Sequence, residues 1–133
     1  GMKLLFGGDG SATREFLYVE DAAEAIVLAS ERYNDAAPVN IGSAFEISIR
    51  DLVKNIATLC GFHGRIVWDT TKPNGQPRRM LDTSRATQAF GFVPQVKFEE
   101  GLRRTVEWYL QQEASLIGVE RVIIGAESSL IEV

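Results

Sequence analysis

The stretch from Gly7 to Glu24 constrains the fold more than any other part of the chain. Gly7, Gly8 and Gly10 surround Asp9, a turn signal, because glycine enters left-handed backbone without a steric penalty. Residues 15–19 (EFLYV) follow, rich in aromatic and branched side chains, and read as a strand. Asp21 stands next, with Glu24 three positions later, the spacing of a capping box with Asp in the capping role. Ala22, Ala25, Ile26 and Ala29 then recur at helical spacing and predict a helix over 22–33. Turn, strand and helix in immediate succession mark a mixed α/β chain.

The rest of the chain continues that alternation. Residues 3–6 form a short, mostly apolar run with strand character, and 39–41 read as a second short strand closed by Gly42. Ser48 precedes an apolar stripe of Ile49, Leu52, Val53, Ile56, Ala57 and Cys60. Asp51 lies at the positive end of this helix, and Gly61 is available as a left-handed cap. Residues 65–69 read as a strand, and 72–77 as a loop stiffened by Pro73 and Pro77. Asp82 or Thr83 caps a short helix ending before Gly91. Phe98 leads a longer helix through Leu102, Val106, Tyr109 and Leu110. The expected architecture is a small α/β lobe of short strands with three to four helices. Residues 1–113 form this lobe, and 114–133 form an apolar tail that reads equally as a hairpin or as an extension of the helix.

Composition narrows the function classes. A net charge of −4 argues against general nucleic-acid binding, which calls for a basic face, yet leaves room for a local basic pocket. No apolar run approaches the ~18 residues of a membrane span, and Gly1-Met2-Lys3 reads as a cloning scar rather than a signal peptide. The single cysteine, Cys60, builds no disulfide framework and falls on the apolar face of its helix, which places it in the core and suits a cytoplasmic protein. His63 is the only histidine and sits between Phe62 and Gly64 in a turn, a poor start for a metal set. Trp108 and Tyr109 are read as core or interface residues of the last helix.

Two basic positions could carry chemistry. Arg14 opens a strand after the glycine turn, where a guanidinium can clamp a phosphate with paired donors. Spacing alone favours a surface arginine paired with Glu15 or Asp9, since most charged residues are simply solvated. Arg78 and Arg79, with Lys72 upstream, crowd positive charge onto a proline-restricted loop that orders around an anion at low entropic cost, diphosphate being the obvious one. Spacing alone again favours the blander reading, a solvated basic loop. Helix capping accounts for Glu20, Asp21 and Glu24 better than a carboxylate pair does.

Two segments, Gly8-Asp9-Gly10-Ser11-Ala12-Thr13-Arg14-Glu15-Phe16-Leu17-Tyr18-Val19-Glu20-Asp21 and Lys72-Pro73-Asn74-Gly75-Gln76-Pro77-Arg78-Arg79-Met80-Leu81-Asp82, resemble the substrate-binding part of the extended short-chain dehydrogenase/reductase family, the NAD-dependent epimerases and dehydratases. The second segment is closest to the GDP-L-fucose synthase branch, which acts on GDP-4-keto-6-deoxy-mannose. The resemblance covers residues 8–112. It implies that Arg14 contacts a nucleotide diphosphate, that Arg79 with Arg78 beside it supplies a second basic contact, and that Lys72 belongs to the same substrate-binding set. Val39-Asn40-Ile41-Gly42-Ser43 fits the family's strand end, and Ile49-Arg50-Asp51-Leu52 also fits. Departures are Gly7 where the family commonly has Trp, Ala44 at a glycine position, and Asn74 for Asp.

The resemblance also implies an NADP-binding Rossmann half and an acid/base Tyr-x-x-x-Lys pair. Gly7-Gly8-Asp9-Gly10 does not complete the dinucleotide spacing. Tyr18, Tyr33 and Tyr109 are followed four residues on by Ala22, Ala37 and Glu113. The chain is therefore expected to contain no complete Rossmann domain, no catalytic residue and no cofactor site of its own, and to be inactive alone. It reads as the substrate-binding fragment of a GDP-sugar epimerase/reductase. The alternatives are a lobe of another nucleotide-sugar epimerase or dehydratase, or a free-standing interaction domain without catalysis. Its expected partners are a GDP-sugar ligand and either a missing Rossmann half or a second copy of itself, the tails pairing in a two-fold dimer unless they fold back onto their own domain.

Overall fold

The computed structural model describes residues 1–117 and 131–132. In chain order it contains β1 (Lys3–Gly7), β2 (Thr13–Glu15), α1 (Val19–Arg32), β3 (Glu46–Ser48), α2 (Ile49–Leu59), β4 (Arg65–Asp69), β5 (Arg78–Arg79), α3 (Ser84–Phe90), α4 (Phe98–Ile117) and β6 (Ile131–Glu132). The mixed α/β class, four helices and short strands match the sequence expectation. The strands form two small sheets. One has the order β4-β1-β6, with both neighbours parallel to β1; the other has the order β3-β2-β5, with β3 antiparallel and β5 parallel to β2.

The glycine turn joins the two sheets. Gly10 adopts a positive φ of 76°, and a Cβ there would lie 2.7 Å from Trp68 and 2.9 Å from Arg50, so only glycine lets β1 turn against β4 and the start of α2. Arg50 and Ile49 donate their backbone N–H groups to Gly10 O and Ala12 O, both at 2.9 Å. The Arg50 guanidinium stacks over Trp68 at 5.6 Å and also donates to Asp9 O.

Helix termini follow the local chemistry. Ser48 is the N-cap of α2: its hydroxyl oxygen accepts the Asp51 N–H at 3.0 Å and the hydroxyl donates to the Asp51 carboxylate at 2.9 Å, with Asp51 in the first turn where a negative charge is favoured. α2 ends in a Schellman turn, with Phe62 N–H on Ala57 O, Gly61 N–H on Thr58 O, and Gly61 at φ 65°. Asp82 caps α3 by accepting the Ser84 N–H at 2.9 Å. Gly91, at φ 74°, turns Phe92 back into the core made by Ala25, Ala86, Phe90 and Phe92 between α1 and α3.

Several expectations are corrected. The predicted 15–19 strand is shorter and earlier, at Thr13–Glu15, because the Ala22 N–H already bonds Tyr18 O and the helix begins at Val19. Asp21 is therefore not the cap. It is buried in the first turn, where its carboxylate accepts Gln95 N–H and Val96 N–H at 3.1 and 3.0 Å and ties α1 to the approach to α4. Residues 39–41 form no strand. Val39 and Ile41 pack on the core, and Asn40 donates to Asp82 O. Cys60 is exposed rather than in the core, since α2 stops at Leu59 and Cys60 falls on its C-cap. Trp108 and Tyr109 are exposed as well, outside the core of the described residues. Of the tail, α4 continues to Ile117 and Ile131–Glu132 lie beside β1. The remaining tail positions, 118–130 and 133, lie outside the described residues. Among the described residues no helix is long and apolar enough to cross a membrane.

Candidate functional site

The sheet β3-β2-β5 carries the two arginines of the first and second basic segments. Its register sets Arg14 beside Arg79 and Thr13 beside Arg78. Partners across a ladder share a face and neighbours along a strand alternate, so Arg14 and Arg79 occupy one face while Thr13, Arg78, Glu15 and Glu46 occupy the other. The two arginines are 65 positions apart in the sequence and only the fold makes them neighbours: β2 pairs with a strand of just two residues, kept in register by Thr13 N–H donating to Pro77 O at 2.9 Å.

The four predicted residues have different surroundings. Arg14 pairs with neither Glu15 nor Asp9. Its Nη1 donates to Thr13 O at 2.6 Å and to Gln76 O at 2.8 Å, which fastens the 72–77 loop to β2. Arg79 is exposed, and its side chain makes no hydrogen bond or ion pair with any described residue. Arg78 donates from Nε to both carboxylate oxygens of Glu46 at 2.9 Å and lies away from the Arg14–Arg79 face. Lys72 is at the far end of the loop, packed beside Gly7 and close enough to Asp69 to act on its charge. The fold thus brings Arg14 and Arg79 together, puts Arg78 behind them and leaves Lys72 at the loop's other end.

Sequence reasoning missed two supports of this loop. Asn74 accepts the Asp9 N–H through Oδ1 at 2.8 Å, which ties the loop to the glycine turn. Glu46 accepts from the Thr13 hydroxyl and from Arg78. The Thr13 bond first, and Arg78 next, hold the Glu46 carboxyl below its ordinary range. The only signal for Glu46 was a lone charge in the apolar run 45–49.

Like charges directly opposite on a sheet repel. Arg14 is offset by two carbonyl oxygens, whereas the exposed Arg79 side chain has no anionic partner among the described residues, so this face carries spare donors and positive charge. Two cavities flank the sheet. One of about 610 Å³ is lined by Ala44, Arg78, Met80 and the 81–84 segment. The other, about 600 Å³ and apolar, is bounded by Phe16, Tyr18, Phe45, Leu52, Ile56 and Phe98, with Phe98 stacked 5.2 Å from Phe45. The glycine turn does not fit a dinucleotide. It opens no helix, and the space over Gly8 and Gly10 is filled by Asn74, Trp68 and Arg50. Among the described residues no group of His, Cys, Asp and Glu could hold a metal ion.

Comparison with known proteins extends this picture. The family model described as GDP-mannose 4,6 dehydratase matches residues 1–105. GDP-L-fucose synthase 1 of Arabidopsis thaliana is 43% identical over 104 residues, which is 78% of this chain and 32% of that protein. GDP-L-fucose synthase of Escherichia coli K12 is 34% identical over 115 residues, 80% of this chain and 36% of its own length. Among solved structures, a GDP-L-fucose synthetase from Naegleria fowleri bound to NADP superposes with a TM-score of 0.77 at 26% identity, covering 84% of this chain and 35% of that one. UDP-glucose 4-epimerase of Thermotoga maritima with UDP-glucose gives 0.75 at 29% identity, covering 84% and 36%. The chain spans about a third of the length of the relatives it matches.

Proposed function

Because this chain belongs to the GDP-mannose 4,6 dehydratase family of extended short-chain dehydrogenases, we propose that residues 1–113 are the nucleotide-sugar-binding lobe of a GDP-L-fucose-synthase-like enzyme. The reaction of such an enzyme is epimerisation of GDP-4-keto-6-deoxy-mannose followed by reduction. The cofactor would be held by residues outside this chain and, in its reduced form NADPH, would supply the hydride and leave as NADP+. What this chain contributes is binding. Arg79 donates to the diphosphate from its exposed guanidinium. Arg14 holds the 72–77 loop through Gln76 and turns its remaining donors to the same anion. Lys72 adds positive charge at the loop's other end.

The observation that carries this reading is the exposed Arg79, whose side chain has no partner among the described residues, set directly beside Arg14 by the β2–β5 register. The curated relatives favour a guanosine diphosphate over a uridine one. A charge-assisted contact is worth roughly 1.5–3 kcal/mol, so Arg79→Ala should weaken GDP binding by about ten- to hundredfold. Titration of GDP-mannose by calorimetry into the wild-type chain and Arg79→Ala tests this, with UDP-glucose as the competing ligand. Equal affinity of the two proteins would refute the role of Arg79, and preference for UDP-glucose would refute the GDP branch.

A further inference from the structure

We infer that Glu46 is the positioning residue for Arg79, acting as a strap that ties the outer strands β3 and β5 together across β2. The inference rests on the nucleotide-sugar reading for its functional consequence, and on the geometry alone for its structural one.

β5 has two residues and none of them belongs to the hydrophobic core. Its position therefore depends on polar contacts. On one face of the sheet the Glu46 carboxylate receives the Thr13 hydroxyl from the middle strand and Arg78 Nε from the far strand, with Arg78 at 2.9 Å from both oxygens. β3 and β5 are not neighbours, so no backbone bond joins them, and Glu46 is the side chain that spans the gap. It is well placed to do so, with its side chain 20% exposed against 69% for Arg78. Glu46 is the more sheltered partner and is also held by the Thr13 hydroxyl, so it is the fixed end of the pair and the exposed Arg78 the end that is placed.

Alternation along the strand converts this grip into placement. With Arg78 held on the Glu46 face, Arg79 has to emerge on the opposite face, beside Arg14. The strap also disposes of an electrostatic conflict. Glu15 and Glu46 stand directly opposite each other on β2 and β3, and each is given its own partner: Glu15 accepts the Ala44 N–H at 2.8 Å, Glu46 takes Thr13 and Arg78. Arg78 is thus the internal counter-ion and Arg79 the outward one, so two adjacent arginines that look equivalent in the sequence have separate tasks.

The test uses the full chain with Glu46→Ala, Glu46→Gln, Arg79→Ala and the Glu46→Ala/Arg79→Ala double variant. Two readouts are taken: GDP affinity by NMR titration, and amide exchange of Thr13, whose N–H is bonded to Pro77 O, with Arg50 N–H as the internal control. Glu46→Ala should speed Thr13 exchange several-fold relative to Arg50 and weaken GDP by about fivefold, the upper range for a partly exposed ion pair. Glu46→Gln keeps an acceptor and should recover most of both. In the Arg79→Ala background Glu46→Ala should change affinity no further. Unchanged Thr13 exchange in Glu46→Ala overturns the strap, and additive losses in the double variant overturn the action through Arg79. Should the wild-type chain not bind GDP, the functional reading falls, and the exchange result still decides the strap.

Discussion

Ala44 occupies left-handed backbone, with φ of 56°, and is the only described non-glycine residue to do so. This is the position where the family resemblance implies a glycine. A left-handed L-residue costs about 1–2 kcal/mol, while glycine in its place adds about 0.4–1 kcal/mol of unfolded-state entropy. Ala44 is exposed and its N–H is bonded to Glu15, so removing the methyl leaves no cavity and the turn stays anchored. Ala44→Gly should therefore stabilise the chain by about 0.5–1 kcal/mol. Gly61 offers the reciprocal experiment. Its φ is 65°, and a Cβ there would meet nothing within 4 Å, so Gly61→Ala imposes the conformational cost free of collision and should destabilise by about 1 kcal/mol. Urea unfolding followed by the fluorescence of Trp68 and Trp108 measures both, with an unchanged m-value confirming that only stability moved. A destabilised Ala44→Gly, or a Gly61→Ala indistinguishable from wild type, would refute the strain argument.

Three further outcomes are expected. Glu100, gripped by Arg103 and then Arg104, has its carboxyl lowered to about 2, so its contribution to α4 is fully present above its ordinary value of 4.5 and is lost as pH falls from there towards 2; helical circular dichroism should decline over that window in the wild type, with a smaller change in Glu100→Gln. The purified chain should oxidise no NADPH with a GDP-4-keto sugar, because no tyrosine has its lysine partner and the glycine turn is filled by side chains; a rate above buffer would contradict this. The chain should self-associate at micromolar concentration through uncovered apolar side chains such as Val19 and Ile26 on α1, 69% and 64% exposed, and Ile26→Glu should weaken the assembly; light scattering that reports a monomer would defeat the expectation.

Much of the fold was legible because its signals are local. Ser48 with Asp51, the stripe of α2 and the glycine after it all lie within one helix, and helical periodicity reads them directly. The shorter strands were not legible. β3 and β5 have three and two residues, too few for an alternation to register, and exist only because β2 lies between them. Asp21 shows the same limit from the other side. It carries the spacing of a cap, yet its acceptors are taken by backbone groups 74 and 75 positions away, which no local pattern encodes. Cys60 continues the apolar stripe in the sequence, yet α2 ends one residue before it, so at the C-cap it is exposed instead of joining the core.

The candidate site was legible in composition and illegible in division of labour. Arg14, Arg78 and Arg79 were visible as basic residues near glycine and proline; which of them is free depends on Glu46, 32 positions from Arg78, and on Gln76, 62 from Arg14. That dependence has a physical consequence. A strand held by exposed polar contacts rather than by core packing sits at the low-stability end of the structure and opens locally before the helices do. A diphosphate joining Arg79 to Arg14 would add a charged link across the β2–β5 pair on the face opposite the Glu46 strap. β5 would then be gripped from both sides, so ligand binding and the ordering of the 72–77 loop become one equilibrium, each favouring the other.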